Sequence, residues 1–259
     1  MTCRFPRQQQ VAYSYIRSKR ILILVEHSPE VPADMRYIEV HRILQKAVNS
    51  KALMFCSAPD EGNFASLDYP SGPWRKNKRF FRIGAASAHG QVFDLSPEDG
   101  ITFVLPGVDV VKDEAGGNKS LSGGITGRVK DFRYETGSSV ATALAAGLAA
   151  MIICCVKASI LALMTANQNQ QVVGLAINND GAETIVDTQA MMEAFRSLGH
   201  VTSNNFIQVW DELDNVTTML QEERLKGLTL KNRQHRTVKF TEFVQKLTKA
   251  AKHNRSNML

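Results

Sequence analysis

Residues 134–156 have the sequence YETGSSVATALAAGLAAMIICCV. Between Val140 and Val156 this stretch contains one polar side chain, Thr142, and one glycine, Gly147. Such a long apolar run predicts a helix, and two interpretations of it are open. It is either a transmembrane span at the short limit of length, or a central helix buried on all faces whose small residues allow close packing. Because its many alanines weaken the drive into lipid, we expect the buried helix and no membrane span.

The residues just before this helix, Gly137, Ser138 and Ser139, place two serines at its start. A helix N-terminus has unpaired backbone N–H groups and the positive end of the helix dipole. A serine there is suited to attack a carbonyl, while its own N–H stabilises the oxyanion that forms. The alternative is that one of the two serines only caps the helix, as serine often does.

The rest of the chain predicts strands that alternate with helices. Apolar runs predict strands at residues 21–25, 52–56, 80–86, 100–105 and 173–177, and continuous runs of this kind are typical of buried parallel strands. Helical patterns cover residues 35–50, 188–198, 205–226 and 237–252, and residues 57–79 and 106–136 have the composition of loops. The alternation predicts an α/β layered fold.

Four blocks, in the right order, resemble a known family. Gly137-Ser138-Ser139-Val140-Ala141-Thr142, followed by Ala145-Ala146-Gly147, resembles the nucleophile signature of the subtilisin-like serine proteases. Upstream, residues 53–62 resemble the oxyanion strand and loop of that family. Ile83-Gly84-Ala85 resembles its Val-Gly-Ala strand, and Val104-Leu105-Pro106-Gly107-Val108 resembles its Ala-Pro-Gly-Val segment. The resembling region, about residues 35–156, corresponds to the second half of a subtilase domain. It is most similar to the intracellular subtilase-like domains of filamentous fungi.

The resemblance implies a partial three-layer sandwich with a parallel sheet, and a peptide or protein substrate. It implies that Ser139 is the catalytic nucleophile and that Asp60 holds the oxyanion position, where the family has an asparagine. It also implies a supporting motif, made of Gly137, Ser138, Pro106 and Gly107. No metal or cofactor is expected.

The chain departs from the family where the other two catalytic residues belong. A subtilase needs Asp, then His, then Ser, in chain order. No Asp-Ser/Thr-Gly block and no His-Gly-Thr block precedes Asp60, and His27, His41 and His89 have the wrong neighbours or order. We therefore expect a truncated peptidase domain that is inactive as this chain. The alternative is a degenerate fragment that acts as a non-catalytic interaction or regulatory module.

The net charge of +6 is concentrated near the C-terminus. Residues 216–259 contain ten Lys and Arg but three Glu, so this segment carries +7 and the remainder −1. No nucleic-acid-binding motif accompanies the charge, so nucleic acid is not an expected ligand. Apolar positions within 237–252 predict a helix that docks on the body of the protein or on a protein partner.

The remaining expectations concern compartment and domains. Four cysteines without a CxxC pair, and no secretory signal pattern at the start, are typical of a cytoplasmic protein with reduced thiols. We expect an atypical N-terminal segment at residues 1–34, a subtilase-like domain at 35–190, and a helical, basic C-terminal extension at 191–259.

Overall fold

The computed structural model describes residues 14–15, 21–24, 35–50, 52–58, 79–92, 100–112, 133–168, 183–225 and 230–256. The strands are β1 (Ser14–Tyr15), β2 (Ile21–Leu24), β3 (Leu53–Ser57), β4 (Phe80–Ala86), β5 (Phe103–Pro106), β6 (Val110–Lys112), β7 (Arg133–Glu135), β8 (His200–Val201) and β9 (Ile207–Gln208). The helices are α1 (Met35–Asn49), α2 (Ser138–Gln168), α3 (Thr188–Leu198), α4 (Trp210–Leu225) and α5 (Leu230–Ser256).

The main sheet has five strands in the order β1-β2-β3-β4-β5. β2, β3, β4 and β5 are parallel, with Leu22 opposite Met54 and Phe55 opposite Phe81, whereas β1 is antiparallel to β2. Every residue of β3 and β4 is buried, as continuous apolar runs predict for central parallel strands. The expected α/β fold with a parallel sheet is confirmed.

Helices α2 and α3 cover one face of this sheet, and α5 packs on both of them. α2 lies across β3, β4 and β5 and also contacts α5, which packs extensively on α3. Phe195 of α3 lies against three strand aromatics, with its ring centroid 6.4, 6.0 and 5.5 Å from those of Phe55, Phe81 and Phe103. Alternate residues of the strands thus form one core with three helices.

The C-terminal helix α5 docks on the body. Phe243, Val244 and Leu247 are buried in the common core, and the Ser159 hydroxyl of α2 donates a buried 3.1 Å hydrogen bond to Thr241. Of the two alternatives that the amphipathic pattern left open, the structure shows the one in which the helix docks on the body. Partner binding through its basic side remains a prediction, as does the domain division, whose 190/191 boundary falls inside α3.

Several local expectations differ from the structure. Helix α2 extends to Gln168, twelve residues beyond the end of the apolar run at Val156. The expected loop at 106–136 contains β6 and β7, which form an antiparallel pair with each other. The two strands are far apart in the chain, so no local pattern in the sequence indicates their pairing. The helix expected at 205–226 begins at Trp210, because β9 pairs with β8 first. Residues 173–177 lie outside the described residues.

The expectation that α2 is buried on all faces is wrong. Leu144, Met151, Leu161 and Met164 are between 38% and 66% exposed. Among the described residues, α2 is the one helix long and apolar enough to cross a membrane, and half of its most apolar window is buried inside the fold. The physical reason is geometric. The sheet, α3 and α5 pack against one side of the α2 helix, and its opposite side faces outward.

Candidate active site

Gly137 begins the turn that leads into α2. Its φ of 147° lies in the region that glycine adopts freely and other residues rarely do. Its carbonyl accepts hydrogen bonds from the N–H groups of Val140 (3.1 Å) and Ala141 (3.3 Å), so Gly137 occupies the capping position. Neither serine is therefore the N-cap: Ser138 and Ser139 are the first two residues of the helix itself.

The two serines have different environments. Ser138 is 1% exposed, and its hydroxyl donates a hydrogen bond to the backbone carbonyl of Ala58, just after β3. Ser139 is partly exposed, and within the described part of the chain no group hydrogen-bonds to its hydroxyl. Ser138 is thus engaged in holding the helix start against the sheet, and the Ser139 hydroxyl is the one available for chemistry.

The contact of Ser138 with Ala58 holds the last described residue before the expected oxyanion loop. The Ala58 N–H donates to the carbonyl of Ile83 on β4 (2.8 Å), so the end of β3 is held from both sides. Asp60 follows two residues later and lies outside the described residues. Its proximity to Ser139 remains a prediction.

Gly107, directly after β5, supports the same turn, while Pro106 is the last residue of β5 and lies opposite Ala86 of β4. The Gly137 N–H donates to the Gly107 carbonyl at 2.7 Å. A Cβ atom on Gly107 would lie 2.8 Å from the Gly137 oxygen and 2.9 Å from the Cβ atoms of Ala85 and Ala141. Such distances are shorter than side chains tolerate, so glycine is required here for the strand end to approach the helix. The structure thus brings together Gly107, Gly137, Ser138 and Ser139.

Sequence reasoning missed a second link beside the site. The Asp109 N–H donates to the Thr136 hydroxyl at 3.0 Å, with Asp109 at a φ of 54°. Aspartate tolerates this left-handed conformation better than most residues. The link joins the segment after Gly107 to the residue before Gly137, next to the β6–β7 pair. A tolerant residue in a loop is too weak a signal to reveal it.

The described ionisable groups supply no base for Ser139. His41 and His89 are exposed and neither is hydrogen-bonded to Ser139, while His27 lies outside the described residues. Burial raises the pKa of Cys56 in β3 to about 12, although the nearby Arg82 charge lowers it, so this thiol stays protonated. No group of three His, Cys, Asp or Glu side chains suited to a metal occurs among the described residues.

The family model described as the subtilase family (Peptidase_S8) matches residues 26–199. The chain belongs to the subtilase family. The match covers about two thirds of the chain and includes the helix start with Ser139, the ends of β3 and β5, and α3. No curated protein shows significant similarity to this subtilase.

Proposed function

We propose that this subtilase is a serine peptidase domain in which Ser139 holds the nucleophile position and peptides or proteins are the substrates. The observation that carries the proposal is the difference between the two serines in burial and hydrogen bonding. Ser138 is buried and hydrogen-bonded to Ala58, whereas Ser139 is partly exposed in the first helical turn, and no described residue hydrogen-bonds to its hydroxyl. The family membership supplies the reaction class, hydrolysis of a peptide bond by a subtilisin-like mechanism.

In this mechanism the Ser139 oxygen attacks the peptide carbonyl and the substrate oxygen becomes negatively charged. The Ser139 N–H lies at the positive end of the α2 dipole, which stabilises negative charge. We assign Asp60 to the second donor position. An ionised carboxylate only accepts hydrogen bonds, so Asp60 assists when it carries a proton.

The chain by itself hydrolyses peptides poorly under this proposal. Its sequence contains neither the Asp-Ser/Thr-Gly block nor the His-Gly-Thr block of the family. Without a base, the Ser139 proton has no acceptor as the oxygen attacks, and loss of one triad member costs roughly 10⁴-fold or more in rate. The same departures support a second candidate, a non-catalytic subtilase fragment that acts as an interaction or regulatory module.

The experiment is covalent labelling of the purified chain with a fluorophosphonate probe, with and without added imidazole. Imidazole acts as an external base: the Ser139 oxygen attacks phosphorus, fluoride leaves, and imidazole takes the proton. We expect slow labelling that increases in proportion to imidazole and disappears in Ser139→Ala. The matched control is Ser138→Ala, which keeps Ser139 and is expected to retain labelling if it remains folded by circular dichroism.

Each outcome has a distinct meaning. Labelling that persists in Ser139→Ala overturns the nucleophile assignment. Fast labelling without imidazole shows that the chain contains its own base, and overturns the proposed low activity. No labelling of folded protein at any imidazole concentration favours the non-catalytic module. Asp60→Asn, which restores the amide donor, is expected to increase the imidazole-assisted rate about tenfold.

We further propose a cytoplasmic location. Cys56, Cys154 and Cys155 are all free thiols, which is the usual state in a reducing compartment. Non-reducing mass spectrometry of the protein isolated from its native cells tests this, because intramolecular disulfides in that material would contradict it.

A further inference from the structure

A β-bulge lies between the β6–β7 pair and the start of α2. The residue pair of β6 and β7 nearest to the helix is Val110 with Glu135. The next connection toward the helix is the 2.7 Å hydrogen bond from the Gly137 N–H to the Gly107 carbonyl. Two residues separate these connections on the β6 side, but only one residue, Thr136, separates them on the β7 side. The β6 side therefore bulges, and bulges beside active sites commonly re-aim a side chain.

Asp109 accommodates the extra residue of the bulge. Its φ of 54° is left-handed, a conformation that one residue of such a bulge adopts and that aspartate tolerates better than most. In this conformation the Asp109 N–H donates to the Thr136 hydroxyl oxygen at 3.0 Å. Because Thr136 directly precedes Gly137, its hydroxyl connects the bulge to the turn that leads to Ser139.

The turn before Ser139 is thus attached to the sheet side at three consecutive residues. Gly137 is attached to the residue after β5, and Ser138 to the residue after β3. These two are buried, whereas Thr136 and Asp109 are exposed. Water is able to replace a lost partner at an exposed N–H, so the hydrogen bond of Thr136 contributes little to stability. What it determines is where the first part of the turn lies.

We propose that Thr136 is a positioning residue for the Ser139 nucleophile. Its hydroxyl holds the bulge and the turn together, so that the Ser139 oxygen keeps the orientation for attack on a carbonyl. The rate of such an attack depends steeply on placement, since a displacement of about 1 Å costs on the order of 100-fold. This inference rests on the proposed function, because it concerns how the proposed nucleophile is held.

The test compares the imidazole-assisted labelling of Ser139 by the fluorophosphonate probe in variants of the full chain. In this reaction the serine oxygen bonds to phosphorus, fluoride leaves and imidazole takes the proton. Thr136→Val replaces the hydroxyl by a methyl group and is expected to lower the rate at saturating probe at least about fivefold. The probe concentration at half-maximal rate should stay nearly unchanged, because Thr136 acts on Ser139 and not on the probe. Thr136→Ser keeps the hydroxyl and is expected to restore most of the rate.

Thr102→Val is the matched control. The Thr102 hydroxyl oxygen also accepts a hydrogen bond from a backbone N–H, that of Arg82 at 3.1 Å. Thr102 directly precedes β5, so it lies at the opposite end of that strand from Gly107. The substitution therefore removes the same kind of hydrogen bond away from the turn, and the labelling rate is expected to change less than about twofold. Urea unfolding of all three variants verifies that each is folded.

Amide hydrogen exchange is a second measurement, and it requires no labelling. The Gly137 N–H is protected by its hydrogen bond to Gly107, so its exchange in the native state reports how often the turn detaches. Thr136→Val is expected to accelerate exchange at Gly137 at least about fivefold. Thr102→Val is expected to accelerate exchange at Arg82 and not at Gly137. Nuclear magnetic resonance of the isotopically labelled chain in deuterated water measures both.

Two results would overturn the positioning role. The first is an equal labelling rate in Thr136→Val and Thr102→Val, or a rate that Thr136→Ser does not restore. The second is exchange at Gly137 that Thr136→Val leaves unchanged. The proposed function fails in a different way, by the absence of Ser139-dependent labelling in the unmodified chain. Exchange at Gly137 then decides by itself whether Thr136 holds the turn.

Discussion

The two sides of α2 have similar hydropathy and opposite environments. Ala145, Ala149 and Ile152 are at most 1% exposed, against the sheet, whereas Leu144, Met151 and Leu161 face outward. Apolar content alone therefore indicated a helix buried all round. The difference shows that hydropathy reports what a residue prefers, while its burial depends on which neighbours the fold provides.

The largest expected effect is a difference in the free energy of unfolding when the same substitution is made at an alanine on each side of α2. Ala149→Glu places a charge at a fully buried position and is expected to lower the free energy of unfolding by at least about 3 kcal/mol. Ala158→Glu places the same side chain on the exposed side and is expected to change it by less than about 0.5 kcal/mol. Urea unfolding at 1 μM measures both, and equal losses would show that the two sides are equally buried.

The next effect concerns the contact of α2 with the end of β5. Gly107→Ala introduces a Cβ within 2.9 Å of Ala141 and Ala85 and closer still to the Gly137 carbonyl. We expect a loss of about 2–3 kcal/mol in the free energy of unfolding, because the backbone oxygen cannot move aside without displacing the helix start. Thermal and urea unfolding measure it, and a neutral result would mean that the strand end does not approach α2 as described.

The same substitution on the outward side is expected to have the opposite sign. At Gly147 an added Cβ meets nothing within 4 Å, so Gly147→Ala gains helix propensity without a clash. It should raise the free energy of unfolding by about 0.5–1 kcal/mol. Destabilisation there would show that the outward side of α2 is covered.

The smallest effect compares neighbouring thiols on the two sides. Burial raises the pKa of Cys155, and the adjacent Cys154 charge raises it further, whereas Cys154 is exposed on the outward side of α2. At 1 μM and pH 8 we expect iodoacetamide to modify Cys154 several-fold faster than Cys155. The Cys155 rate should continue to rise at higher pH, because its thiolate forms only there. Peptide mass spectrometry over time measures both rates, and faster reaction at Cys155 would reverse the assignment of sides.

Much of the sheet was predictable because its strands are continuous apolar runs. The runs at 52–56 and 80–86 became β3 and β4, which are buried on both faces and so need no alternation. The short β6 and β8 were not predictable, since strands of two or three residues are too short to show a hydropathy period, and β6 in addition pairs with a strand that is distant in the chain. Phe195 likewise gave no sign that it would lie against three aromatics from three strands.

The candidate site divides in the same way. The local string Gly137-Ser138-Ser139 was enough to place two serines at the start of a helix, and the family match over residues 26–199 agrees with the resemblance read from it. The resemblance assigned the nucleophile position to Ser139, but the sequence did not show that the two hydroxyls have different environments. That distinction depends on Ala58, 80 residues away from Ser138, whose carbonyl accepts the Ser138 hydroxyl.

The order of residues alone thus established the central strands β3 and β4, the long apolar helix and the serines at its start, because each follows from a run of residues that are close together in the chain. The packed fold established which serine is engaged, why Gly107 must be glycine and which side of α2 faces outward. These depend on contacts between residues that are far apart in the chain, and such contacts exist only once the sheet, α3 and α5 have packed around α2.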